Sequence, residues 1–136
     1  MLATLLPGAR FVDGDDHDAP QDAPLALRIA AAMARIEREI AAGGPLVVAY
    51  PLDQAGDDRL RRACTAAGLA LSVVTLAPPE AVALSDRGAR RLTEWERGRV
   101  REMYAEGYAT RGFSDLIIDT SGQTPGAVAR DIIRRL

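Results

Sequence analysis

The sequence predicts an α/β fold, with three α/β/α layers around a mainly parallel sheet and one domain over residues 1–136. Three observations carry that prediction. Short runs rich in β-branched residues alternate with longer segments whose apolar residues recur every three or four positions. The runs Leu46-Val47-Val48-Ala49-Tyr50 and Leu116-Ile117-Ile118 are apolar without alternation, as in strands buried on both faces. Glycine and proline mark the joins, at Gly43-Gly44-Pro45, Gly68 and Pro78-Pro79. Such parallel sheets take helical crossovers of right-handed sense.

The elements follow in order. Arg10-Phe11-Val12 predicts a strand running into the acidic loop Asp13-Gly14-Asp15-Asp16-His17-Asp18. Over residues 24–42, Leu25, Ile29, Met33, Ile36 and Ile40 form one apolar stripe, which predicts a helix stopped at Gly43-Gly44. The strand 46–50 leads to a loop at 51–56. Asp57 or Asp58 is the expected cap of a helix carrying Leu60, Cys64 and Ala67 and ending at Gly68. Residues 69–76 read as a buried strand around Val73 and Val74, and Pro79-Glu80 as the first turn of a short helix. Thr93-Glu94-Trp95-Glu96 has capping-box spacing and starts an arginine-dense helix to about Glu106. After the strand 116–118, Thr124-Pro125 is a helix start, and Val128, Ile132, Ile133 and Leu136 form its apolar stripe.

Composition narrows the function. The 136 residues carry 17 basic and 19 acidic side chains, a formal net charge of −2. That balance excludes an acidic disordered tail, a polybasic arm for DNA or RNA, and a membrane protein. Residues 1–10 lack the basic start and apolar length of a secretory signal, so a cytoplasmic location is expected. Cys64 is the only cysteine, which rules out an internal disulfide framework and a multi-cysteine zinc site. All basic residues are arginine. Without lysine there is no Schiff-base chemistry, no lysine base and no P-loop lysine, so anions must be held by arginine or backbone N–H groups.

Ligands of open α/β sheets bind beyond the carboxyl ends of the strands. The segments there are residues 13–18, 53–56, 77–80 and 119–123, and three of the four are polar. The ligand site is expected along that edge.

Four of these stretches resemble the P-loop small-molecule kinases, the group of shikimate kinase, gluconate kinase and chloramphenicol phosphotransferase. Phe11-Val12-Asp13-Gly14-Asp15-Asp16 is similar to the strand whose acidic end meets the acceptor substrate. Val47-Val48-Ala49-Tyr50-Pro51-Leu52 is similar to the next strand. Arg87-Gly88-Ala89-Arg90, Leu92-Thr93-Glu94-Trp95-Glu96-Arg97 and Arg101 resemble the arginine-bearing lid, over about residues 85–111. Leu116-Ile117-Ile118-Asp119-Thr120-Ser121-Gly122-Gln123-Thr124-Pro125 resembles the last strand, adenine-side loop and final helix. Leu2 to Pro7 is similar to the tail of the family's first helix. The phosphate loop itself, G-x-x-x-x-G-K-[ST], is not in the sequence.

The resemblance implies a domain lacking the first strand and its phosphate loop. Phosphoryl transfer depends on positioning and charge stabilisation by that loop, its lysine and magnesium, so turnover should be weak or nil. The expected function is a degenerate or truncated kinase-like protein that binds a nucleotide or partner without efficient turnover. The alternative is an ATP- and Mg-dependent phosphotransferase on a small hydroxylated acceptor, its phosphate loop supplied by a longer product or another chain. The place of the missing strand is expected to be closed by a repacked four-stranded sheet, a homo-oligomer or a partner chain, because open parallel edges invite association.

Each candidate residue has a plainer reading beside the functional one. Asp13, Asp15 and Asp16 would serve as carboxylate base or magnesium ligands; otherwise they form a solvated acidic loop, with Asp18, before the next helix. His17 would add a metal ligand; otherwise it is an ordinary loop histidine. Arg87, Arg90, Arg97 and Arg101, with Arg91 and Arg99, would close on phosphates; otherwise they pair locally with Glu94, Glu96 and Glu102. Ser121, Gly122 and Gln123 would bracket an adenine; otherwise they form the turn before the Thr124 cap. Cys64 reads as core, and Trp95, Tyr104 and Tyr108 as core, interface or base-stacking groups. No resident metal site is assigned.

Overall fold

The computed structural model describes residues 1–86 and 91–136, so Arg87, Gly88, Ala89 and Arg90 lie outside the described residues. The fold is α/β, built from helices and short parallel strands. The chain divides into two compact units, Met1–Leu71 and Ser72–Leu136.

The first unit runs α1 (Leu2–Leu5), β1 (Arg10–Asp13), α2 (Leu25–Ala41), β2 (Leu46–Ala49) and α3 (Gln54–Ala66). β1 and β2 pair in parallel, with Phe11 beside Val47 and Val12 beside Val48. Val12 packs with Met33, Ile36 and Ile40 of α2 and Leu60 and Cys64 of α3, and Leu46 and Val48 lie against this cluster. Cys64 is therefore core, as expected, and burial pushes its thiol up from 9.0.

The α2 stripe is shorter than its sequence suggests. Met33, Ile36 and Ile40 are buried, but Leu25 and Ile29 are 53% and 46% exposed. The helix has 17 residues, about 25 Å at 1.5 Å per residue. The four-residue strands span only about 13 Å. The first turns of α2 therefore run past the strands that would cover them. Phe11 likewise stands 57% exposed on the face of the β1–β2 pair opposite Val12.

The cap of α3 is Asp53, and not Asp57 or Asp58. Asp53 has extended backbone, and its Oδ1 accepts the Gly56 N–H at 2.7 Å. Asp57 lies one turn further in and is buried, its Oδ2 accepting from Arg61 Nε at 2.8 Å.

The second unit runs β3 (Val74–Leu76), α4 (Glu80–Ala83), α5 (Glu94–Ala105), a 3-10 turn (Tyr108–Thr110), β4 (Leu116–Ile118) and α6 (Pro125–Arg135). β3 and β4 pair in parallel, Val74 beside Leu116 and Leu76 beside Ile118. The apolar run 69–76 thus divides. Leu69 and Leu71 lie against the first unit's core, and the strand begins only at Val74. Just before it, the Val73 N–H donates to Asp115 Oδ2 at 2.7 Å, and the Val73 carbonyl accepts from the Asp115 and Leu116 N–H groups. The capping box of α5 forms as expected, Glu96 N–H to Thr93 Oγ1 at 3.2 Å and Thr93 N–H to Glu96 Oε2 at 2.7 Å. Thr124 caps α6 through the Ala127 N–H, with Pro125 in the first turn. Val128, Ala129 and Ile132 are buried in α6, whereas Ile133 and Leu136 are exposed. Ile117 is exposed as well, so β4 is covered on one face only.

The strands thus hydrogen-bond as two parallel pairs, one in each unit. No helix among the described residues is long and apolar enough to cross a membrane.

Candidate functional site

A cavity of about 350 Å³ opens in the second unit, at the carboxyl ends of β3 and β4. Leu76, Pro78, Leu92, Val100 and Met103 give it an apolar wall. The rings of Tyr104 and Tyr108 form another side, 5.6 Å apart between centroids and tilted by 38°. Thr120, two residues beyond β4, and Ser85 supply hydroxyls.

The cavity is framed by side chains that tie α5 and the following turn to the end of β3 and the end of α4. The Tyr104 hydroxyl donates to the Pro78 carbonyl. The Tyr108 hydroxyl donates to the Leu76 carbonyl at 3.2 Å. Arg97 donates to the Leu84 carbonyl at 2.6 Å and to Asp86 Oδ1 at 3.0 Å. Arg111 stacks on the Tyr108 ring at 4.5 Å and on Phe113 at 5.6 Å. Burial raises the Tyr108 phenol above 10.0, against the opposing pull of Arg111.

The loop 119–123 closes on itself. Asp119 Oδ1 accepts the Ser121 N–H at 2.8 Å, and Gln123 Nε2 donates back to the Asp119 carbonyl at 2.7 Å. Hydrogen bonds from the Ser121 side chain and backbone hold the Asp119 carboxyl below its ordinary 3.8. Gly122 has φ +68°, the left-handed region that a side chain rarely adopts, so glycine makes this turn possible. Of this segment it is Thr120 that lines the cavity, while the Gln123 amide is committed to the turn.

Of the arginines expected in the lid, Arg97 is committed to Leu84 and Asp86, and its side chain is one quarter exposed. Arg99 pairs with Glu102 at 2.9 Å. Arg101 is exposed and makes no ion pair among the described residues. Arg87 and Arg90 fall outside the described residues.

The acidic loop belongs to the first unit. Asp13 Oδ1 accepts the Asp15 N–H at 3.1 Å, and the Asp13 carbonyl accepts the Asp16 N–H. Asp16 pairs with Arg35 at 2.7 Å and Asp18 with Arg38 at 2.9 Å, both on α2. The hydrogen bond that Arg35 donates to Asp16 raises the Arg35 pKa further. Burial raises the Tyr50 phenol above 10.0, helped by the charges of Asp53 and Asp15. His17 keeps its Nδ1 buried without a hydrogen-bond partner. Among the described residues, no group of three His, Cys, Asp or Glu side chains is placed to hold a metal ion.

The cavity's apolar wall was hidden in the sequence. Leu92, Val100 and Met103 sit on or beside an arginine-rich helix with no buried residue, and nothing in their spacing marks them out. Tyr104 and Tyr108 carry the available signal, a four-residue aromatic spacing just ahead of the last strand.

Comparison with protein-family models, with curated proteins and with solved structures gives no match.

Proposed function

We propose that this chain is a kinase-like module that binds a nucleotide without efficient turnover. The observation that carries the reading is the cavity at the carboxyl ends of β3 and β4, bounded by α5 on one side and Thr120 on another. That is where open α/β sheets hold ligands. The segment 119–123 beside it is the stretch whose residues most resemble the adenine-side loop of the P-loop small-molecule kinases. The reading includes the three-layer arrangement of that family. It also includes partner strands, from a second copy or another chain, along strand edges that have no neighbour among the described residues.

Poor turnover follows from the residues themselves. There is no lysine and no phosphate loop in the sequence to stabilise a transferring phosphoryl group. Asp16 is paired with Arg35, which disfavours a free base at that position.

Calorimetric titration of the full chain with ATP, with and without magnesium, tests the proposal. Saturable binding with no release of ADP is the expected result. Arg101→Ala should weaken it only slightly, by no more than about threefold, since Arg101 carries an exposed charge on α5 and does not line the cavity. Absence of heat at millimolar ATP would overturn the nucleotide reading.

A further inference from the structure

We infer that the cavity takes the uncharged, ring-bearing end of its ligand, so that affinity is carried by a nucleobase or similar flat group and owes little to phosphate. The inference rests on the reading of this cavity as a nucleotide site, and deepens it by naming the part that is recognised.

The lining chemistry carries the argument. No described lining residue bears a charge. Among the described arginines that frame the cavity, Arg97 is spent on the Leu84 carbonyl and on Asp86, and Arg111 is stacked on the Tyr108 and Phe113 rings. Both phenolic donors end on backbone carbonyls, Tyr104 on Pro78 and Tyr108 on Leu76, which leaves ring surface as their contribution to the space. Ser85 donates its proton to the Val82 carbonyl. Among the described residues, the Thr120 hydroxyl has no hydrogen bond, so it is the side-chain donor left for a ligand. A phosphate in such a place would lose its hydration and gain no cation from the described lining residues, which is unfavourable. A planar apolar body gains contact with two aromatic rings and with aliphatic and thioether side chains, and one hydrogen bond to Thr120 orients it. A volume of about 350 Å³ is at the small end for ligand cavities and has room for a fused ring.

The test is titration of the full chain with ATP, adenosine and indole as three separate probes. Adenosine should bind within about threefold of ATP, a small difference on the affinity scale. Thr120→Val, which keeps shape and removes the hydroxyl, should weaken adenosine by about fivefold to tenfold. Val100→Trp, which fills the space, should abolish binding of both adenosine and indole, and circular dichroism of each variant checks that it folds. If ATP binds and adenosine is more than about tenfold weaker, phosphate carries the affinity. The inference is then overturned while the nucleotide reading stands. If neither ATP nor adenosine binds but indole does, and Val100→Trp removes it, the cavity takes uncharged rings and the nucleotide reading falls. If no probe binds, or if Val100→Trp and Thr120→Val both fold and bind adenosine unchanged, the inference is overturned.

Discussion

Arg97 reaches back from α5 to Asp86, its Nη2 lying 3.0 Å from the Asp86 carboxylate while Nη1 takes the Leu84 carbonyl at 2.6 Å. Asp86 also accepts the Leu92 N–H at 3.1 Å, so one carboxylate joins the residues on either side of segment 87–90. Arg97→Ala leaves a carbonyl and a carboxylate without their donor. The loss should be about 1–2 kcal/mol, discounted for partial exposure of both partners. Arg97→Lys should recover only part, because a single ammonium lacks the planar fork that serves both acceptors. Urea unfolding of the two variants checks this, and an unchanged midpoint for Arg97→Ala would show that the clasp contributes no stability.

Gly14 follows β1 directly and is buried. A Cβ there would lie 2.3 Å from Tyr50 Cδ2 and 2.9 Å from the Ala49 carbonyl oxygen, which also accepts the Gly14 N–H at 2.8 Å. The ring can turn away, but the carbonyl belongs to β2 and cannot. Gly14→Ala should therefore cost about 1–3 kcal/mol, as overpacking does. Near-ultraviolet circular dichroism should change as Tyr50 moves; a spectrum and melting curve like those of the parent protein would contradict the contact.

Two aspartates at the start of α3, Asp53 and Asp58, should respond differently. Asp53→Ala removes the side chain that holds the Gly56 N–H, and should cost about 1 kcal/mol. Asp58→Ala removes only an exposed acceptor for Gln54, and should stay within about 0.5 kcal/mol. Equal losses for the two would place the cap elsewhere.

Stability should fall at both ends of the pH scale. Hydrogen bonds from Arg59 hold Glu37 below 4.5, those from Ser121 hold Asp119 below 3.8, and those from Arg134 do the same for Asp131. Groups with lowered folded pKa contribute stability that is present above the unfolded value and lost as pH falls through the folded one. In the other direction, burial raises Cys64 above 9.0 and both Tyr50 and Tyr108 above 10.0. The folded state then holds those protons more tightly than the unfolded chain. Stability is unaffected below the unfolded values and declines as pH rises past them. The urea midpoint should be flat between about pH 5 and pH 8 and drop on either side. Glu37→Gln should reduce the acid-side slope, and Tyr50→Phe the alkaline one.

Much of the local structure is legible in the sequence, because local rules decide it. The Thr93–Glu96 capping box and the Thr124-Pro125 start depend on residues close together in the chain. The α3 cap falls one turn ahead of the place the sequence suggests, because Asp53, Asp57 and Asp58 all have the right chemistry. Which of them adopts extended backbone is set by the exit from β2.

What the sequence determined by itself was the class of fold, the order of its elements and the absence of lysine chemistry. Tertiary structure decided how long each apolar stripe stays covered. It exposed Leu25, Ile29 and Ile133, because a helix outruns a strand of three or four residues. It divided the run 69–76 between two units. It also turned Arg97 onto Leu84 and Asp86 and the two tyrosine hydroxyls onto strand-end carbonyls. Those donors had several acceptors within reach of their spacing. Only the packed position of α5 selects among them, and that selection leaves the cavity lined by rings and aliphatic groups.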